Sequence, residues 1–180
     1  MFNNKSRKFG SLYDWVESIT AALLVITVVF TFFFRLIDVD GTSMETTLHD
    51  SERLILSRLP YTPERGDIVV VSQGNDRKPL IKRVIALAGD TVRVDAETGE
   101  VFLNGEKLNE TYVNQPTAAE KMVGEVTVPE NQVFVMGDNR GSGHSLDSRT
   151  FGCIDVKRLV GKAVYRIFPL DRLGGLYDES

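Results

Sequence analysis

The sequence predicts a mainly β protein tethered by one N-terminal transmembrane helix. Residues 18–34 contain no charged residue, no proline and no glycine. From residue 38 onward the apolar residues recur with a period near two, the spacing of strands with one face buried. Glycine, proline and asparagine punctuate those runs at turn positions.

The chain's bulk properties narrow the choice further. Its 180 residues, 42% of them hydrophobic, allow one compact domain of ordinary size beside the apolar run. A formal net charge of −4 and a pI near 5.3 leave no overall basic field for nucleic acid. The single cysteine, Cys153, excludes an intrachain disulfide, and two histidines, His49 and His144, are too few soft ligands for a structural zinc site.

Taken in order, the first element is a short cytoplasmic segment, residues 1–17, carrying Lys5, Arg7 and Lys8 and then Tyr13 and Trp15 at interfacial positions. The membrane anchor follows at residues 18–37, with Arg35 snorkelling, since about 20 helical residues are needed to cross the hydrocarbon. A cleavable signal peptide would have an apolar core of only ~7–15 residues and a small-residue cleavage site. Phe30, Phe32, Phe33 and Phe34 do not end such a segment. Basic residues before the span, and Asp38 and Asp40 after it, favour a cytoplasmic N-terminus with residues 38–180 outside the cell membrane.

Within 38–180, strands are expected in "ERLILSRL", "GDIVVVSQ", "PLIKRVIALAGD", "DTVRVDAETGEVFLNGEKL", "EVTVPENQVFVMGD" and "VGKAVYRIFP". The pair Asn104-Gly105 marks a tight hairpin turn. "DVKRL", 155–159, reads as a short helical turn opened by Asp155. Residues 109–125, "NETYVNQPTAAEKMVGE", are weakly patterned and read as an exposed excursion, either a plain loop or a contact for a partner.

Candidate chemistry lies in three places. Ser43 sits in a small polar loop just past the anchor, and a serine nucleophile needs a base to take its proton. Lys82, flanked by Leu80, Ile81, Val84 and Ile85, could supply one, because burial disfavours the charged ammonium and lowers its pKa. Against this, one of the neighbours Lys82 and Arg83 should face solvent if the strand alternates. Residues 133–152 then crowd Asp138, Asn139, Arg140, Ser145, Asp147, Ser148 and Arg149 around glycines, a density that can hold a site rigid or simply be solvated.

"VDGTSMETTL", "RGDIVVV", "IKRVIALAGD" and "MGDNRGSGHSLDSRTFG", in this order behind an anchor, resemble the bacterial type I signal peptidases, membrane-bound serine/lysine endopeptidases that release exported proteins. The resemblance covers nearly the whole chain. It implies an antiparallel β-sheet, barrel-like catalytic domain in which Ser43 is the nucleophile and Lys82 the general base. Ser145 would orient the lysine amine, Asp147 and Arg149 would pair to support the site, and Gly137, Asp138, Asn139 and Arg140 would shape it. No metal or organic cofactor is implied. The partners are signal peptides of secreted preproteins, cleaved after small residues, together with membrane lipid; association with the export machinery is left open.

Two departures from the family pattern stand out. Thr46 replaces the usual proline, which predicts a less rigid nucleophile loop. "GSGH" is about two residues longer than the common form, so Ser142 and Ser148 compete with Ser145 for its position. Gly41, two before Ser43, has no hydroxyl, so an oxyanion would rest on backbone N–H groups. Three rival readings remain. A self-cleaving Ser/Lys repressor would need a DNA-binding domain where the anchor stands. A hydrolase using His49 and Asp50 would need adjacent loop residues to orient one another. An anchored, catalytically silent β module would not depend on Ser43.

Overall fold

The computed structural model describes residues 5–74, 77–122 and 124–177. Helix α1, Lys5–Phe33, contains a 22-residue apolar stretch, Leu12–Phe33, of mean hydropathy 2.2, none of it buried against the rest of the protein. At 1.5 Å per residue that stretch is about 33 Å long, matching a hydrocarbon core of about 30 Å. Its hydroxyls at Ser18, Thr20, Thr27 and Thr31 each bond the carbonyl four residues back, so they add no unpaired donor to the span.

The expected anchor of residues 18–37 is redrawn at both ends. The helix is already formed at Lys5 and closes at Phe33. Residues Phe34–Asp38 are strand β1, paired antiparallel along their full length with β2, Arg53–Ser57, from Phe34 opposite Ser57 to Asp38 opposite Arg53. Inter-strand pairing outcompetes helix continuation here, and Arg35 lies in the strand rather than snorkelling from the helix.

The remaining strands are β3 (Ile68–Val71), β4 (Leu80–Leu87), β5 (Thr91–Val94), β6 (Val101–Leu103), β7 (Glu106–Lys107), β8 (Glu125–Thr127), β9 (Gln132–Met136), β10 (Ile154–Asp155), β11 (Leu159–Phe168) and β12 (Gly174–Gly175). They form two antiparallel sheets, one in the order β1-β2-β11-β3-β4-β9-β10 with β12 beside β11, the other in the order β7-β6-β5-β8. The Asn104-Gly105 turn joins β6 to β7 with both residues at positive φ, 53° and 83°, as a two-residue hairpin requires. Asp155 caps the expected turn at Val156–Arg158 by accepting from the Lys157 N–H. A second short helix, α2 (Ser148–Phe151), is capped by Asp147.

The packing places the site. Ile68 and Val70 of β3 belong to one core cluster with Met44, Leu48, Leu54 and Ile81, whereas Val69 and Val71 belong to another with Val84, Val133 and Val135. β3 and β4 are therefore covered on both faces, which is how buried strands lose their polar side. This overturns the expectation that Lys82 or Arg83 faces solvent: Lys82 is 1% exposed and Arg83 7%.

Candidate active site

Ser43 is held by its neighbours in sequence and by a loop nearly a hundred residues away. Met44 and Leu48 are buried in the first core cluster and pin the loop from below. Gly41, at φ +90°, adopts a left-handed turn and donates its N–H to Asp50 at 2.6 Å. From the other side, Asn139 donates its backbone N–H to the Ser43 carbonyl and its amide Nδ2 to the Thr42 carbonyl, both at 3.1 Å.

Ser43, in the loop between β1 and β2, and Lys82, on β4, are brought together by the fold. The Lys82 Nζ lies 2.6 Å from the Ser43 Oγ. Burial lowers the Lys82 pKa to about 8; Asp147 and Asp138 oppose that shift and Arg149 adds to it. A groove of about 250 Å³ opens beside Ser43, between the chain at Ile37–Gly41 and the chain at Lys78–Ile81. Its walls are mostly apolar.

Under the pair lie three ion pairs, each centred on a buried arginine. Arg83 grips Asp138 at 2.7 and 2.9 Å, Arg149 grips Asp147 at 2.8 and 2.9 Å, and Arg140 grips Glu110. Burial alone would raise the Asp147 carboxyl, but the bonds and charge of Arg149, with help from Ser145 and the Gly137 N–H, hold it below the usual range. Asp138 also takes the Thr47 hydroxyl at 2.5 Å, tying this ion pair to the loop that carries Ser43. Replacing Asp138 by alanine strands the Arg83 cation in the interior, and chemical denaturation is expected to show a loss of about 3–5 kcal/mol. A loss below about 1 kcal/mol would mean that Arg83 finds water instead.

Of the three competing serines, the geometry favours Ser145. It is buried and donates to Asp147 at 2.6 Å, whereas Ser142 is exposed and the Ser148 hydroxyl accepts from the Val135 N–H. Its hydroxyl reaches Asp147 and, among the described residues, is not bonded to Lys82. A Cβ placed on Gly137 would fall 2.3 Å from both the Ser145 Oγ and the Ser43 carbonyl oxygen, so these three groups are in contact. His49 turns away from Ser43, to Arg172 and Glu52, and Asp50 holds the Gly41 N–H, so no histidine-based site forms there.

Several contributors were not anticipated. The sequence marks Arg83 only as the strand neighbour of Lys82. Glu110, Tyr112 and Thr117 lie in the excursion read as exposed, yet Glu110 and Thr117 bond the fully buried Arg140. The sole local signal was the cluster of an acid and an aromatic in an otherwise weakly patterned stretch.

A family model described as signal peptidase, peptidase S26, matches residues 12–168. The chain belongs to that family. This makes it a serine endopeptidase. The peptidase is 37% identical to signal peptidase I of Bacillus licheniformis over 93% of its own length and 95% of the relative's. It is 38% identical to a probable signal peptidase I-2 of Synechocystis over 92% and 79% of the two chains. A crystal structure of a signal peptidase I from Enterococcus faecalis matches 57% of the peptidase and 97% of that chain at 28% identity, with a TM-score of 0.45.

Both departures from the family pattern acquire contacts in the peptidase. The Thr46 hydroxyl donates to the Tyr112 carbonyl at 3.2 Å, a tether that proline could not make. The longer loop is held by Glu120, which accepts from the Gly143 N–H at 2.8 Å, and by His144, whose Nδ1 lies 3.0 Å from the Asn139 Oδ1.

Proposed function

We infer that this peptidase removes signal peptides from exported preproteins through a Ser43–Lys82 dyad. The observation that carries the reading is a lysine amine, buried and shifted toward neutrality, 2.6 Å from a half-exposed serine hydroxyl at the mouth of an apolar groove. A pKa near 8 leaves about a tenth of Lys82 neutral at pH 7, enough to act as a base. Neutral Lys82 takes the Ser43 proton as Oγ attacks the scissile carbonyl, and the resulting oxyanion is met by backbone N–H groups at Ser43, Gly41 having no hydroxyl to add. The protonated amine then gives its proton to the leaving amine. Water, activated by the same lysine, releases the acyl group. The Asp147–Arg149 and Asp138–Arg83 pairs touch no substrate; they keep Ser145, Gly137 and the nucleophile loop in place.

The membrane supplies selectivity. Nine residues lie between Phe33 and Ser43, at most about 35 Å of extended chain, so the nucleophile stays near the lipid surface. A signal peptide spanning the same bilayer presents its cleavage site at that depth and at a high effective concentration. The basic residues Lys5, Arg7 and Lys8 before the apolar stretch Leu12–Phe33, and the acids Asp38 and Asp40 after it, support a cytoplasmic N-terminus with the catalytic domain outside. Apolar walls such as Val39 and Ile81 suit small side chains before the cleaved bond.

The test is cleavage of a purified preprotein by the full chain in liposomes, with the product's new N-terminus sequenced and Ser43→Ala run in parallel. Cleavage after a small residue, absent in Ser43→Ala, is expected. The wild-type kcat/KM should fall about tenfold per pH unit below 8 and level off above it, because only neutral Lys82 is active. A flat profile between about pH 5 and 9 would count against the lysine base.

A further inference from the structure

The middle of the connection from β7 to β8, residues 110–118, is wrapped against the loops that carry the dyad. Arg140, fully buried, donates to both carboxylate oxygens of Glu110 and to the Thr117 hydroxyl, while its Nε donates to the Gly137 carbonyl at 2.6 Å. The Tyr112 hydroxyl donates to Glu110 at 2.7 Å, and its ring lies 4.0 Å from the Arg83 guanidinium carbon. The Ala118 N–H donates to the Arg140 carbonyl, and the Ala118 carbonyl accepts from Arg149. One short segment thus touches all three buried arginines.

It also reaches the nucleophile loop on both sides of Ser43. On the far side, the Tyr112 carbonyl holds the Thr46 hydroxyl directly. On the near side it acts through Asn139. Gln115 donates to the Asn139 Oδ1 at 2.6 Å, which turns the amide so that its Nδ2 points at the Thr42 carbonyl. Neither contact enters the groove, whose walls contain no residue of 110–118.

We propose that residues 110–118 form a positioning strap for the nucleophile, in which Gln115 and Tyr112 hold the Ser43 loop at working distance from Lys82 and Glu110 anchors the strap to Arg140. The proposal rests on the peptidase reading above. Loosening the strap lets Ser43 drift from its base without altering the groove or the burial of Lys82. The loss therefore falls on kcat and leaves KM and the pH midpoint in place, and a displacement of the order of 1 Å is enough to cost about 10- to 100-fold.

The experiment uses the full chain in liposomes and a purified preprotein, with Thr46→Ala, Thr46→Ser, Gln115→Ala and Glu110→Gln compared over a pH series. Thr46 and Gln115 lie outside the core, so those variants fold, and thermal melts verify it. Thr46→Ala and Gln115→Ala are each expected to lower kcat about tenfold or more, with KM within about twofold and the acid limb still centred near 8. Thr46→Ser, which keeps the hydroxyl, restores the wild-type rate. Glu110→Gln lowers kcat with the same signature. Wild-type kcat in both Thr46→Ala and Gln115→Ala overturns the strap, as does a loss confined to KM or a Thr46→Ser variant as slow as Thr46→Ala. A wild type that cleaves no preprotein removes the peptidase reading itself, and the strap with it.

Discussion

On the proposed Ser43–Lys82 dyad, Lys82→Met is expected to give a protein that is inactive and more stable than the wild type. Activity falls because methionine cannot take a proton from Ser43; single knockouts of a nucleophile or its base cost about 10⁴- to 10⁶-fold. Stability rises because a cation is removed from the interior. In the native state the Lys82 pKa is about 8, against an ordinary value of 10.5, so at pH 7 the wild type carries a charged ammonium in a place that disfavours it. Methionine fills similar space without that cost, and a gain of about 2–3 kcal/mol at pH 7 follows. The pH dependence has a definite sign. Between 8 and 10.5 the unfolded chain binds more protons than the folded one, so wild-type stability climbs with pH through that window. The advantage of Lys82→Met is full below 8 and shrinks toward 10.5. Urea denaturation of both proteins at pH 7 and pH 10, beside the preprotein assay, measures it. A Lys82→Met enzyme that still cleaves, or one destabilised at pH 7, contradicts the buried-base geometry.

Gly137→Ala is expected to lower kcat by about 10²- to 10³-fold while the chain still folds. The added methyl group would sit 2.3 Å from the Ser43 carbonyl oxygen and 2.3 Å from the Ser145 Oγ. The Ser43 oxygen is backbone and cannot rotate away, so the loop bearing the nucleophile must retreat from β9. Glycine is needed at 137 for close approach rather than for an unusual φ. Retreat stretches the Asn139 bond to Ser43 and separates Oγ from Lys82, which is felt in kcat. Wild-type kcat in a folded Gly137→Ala enzyme would show that the two loops do not need this contact.

How much of this was legible beforehand varies by element. Strands β2 to β9 and β11 could be read from their alternation or their unbroken apolar runs bounded by turn residues, and the hairpin at Asn104-Gly105 follows from two residues able to adopt positive φ. The end of α1 could not be read that way. Phe34 to Ile37 are as suited to a helix as to a strand, and what decided the matter is β2, sixteen or more residues further on, offering a full register of partners. Lys82 and Arg83 show the same limit: alternation predicts one of them outside, but burial of both faces of β4 depends on which strands and loops cover it.

The excursion at 109–125 is the clearest case of hidden content. Its residues carry no periodicity because they bond to side chains and carbonyls of distant loops instead of to a regular neighbour. Glu110 has meaning only once Arg140 is buried opposite it, and Tyr112 only once Thr46 is within reach.

The amino-acid order alone pointed to a mainly β protein behind an apolar N-terminal helix, and to Ser43 and Lys82 as its candidate pair, because hydropathy, strand period and short motifs are local properties. The tertiary structure alone decided that Lys82 is buried with its pKa lowered toward neutrality and that, of the three serines, Ser145 is the one buried and bonded to Asp147. It also brought the distant segment 110–118 against the loop that carries Ser43. Desolvation, ion pairing and loop contact arise between residues far apart in sequence, and only the packed chain brings them together.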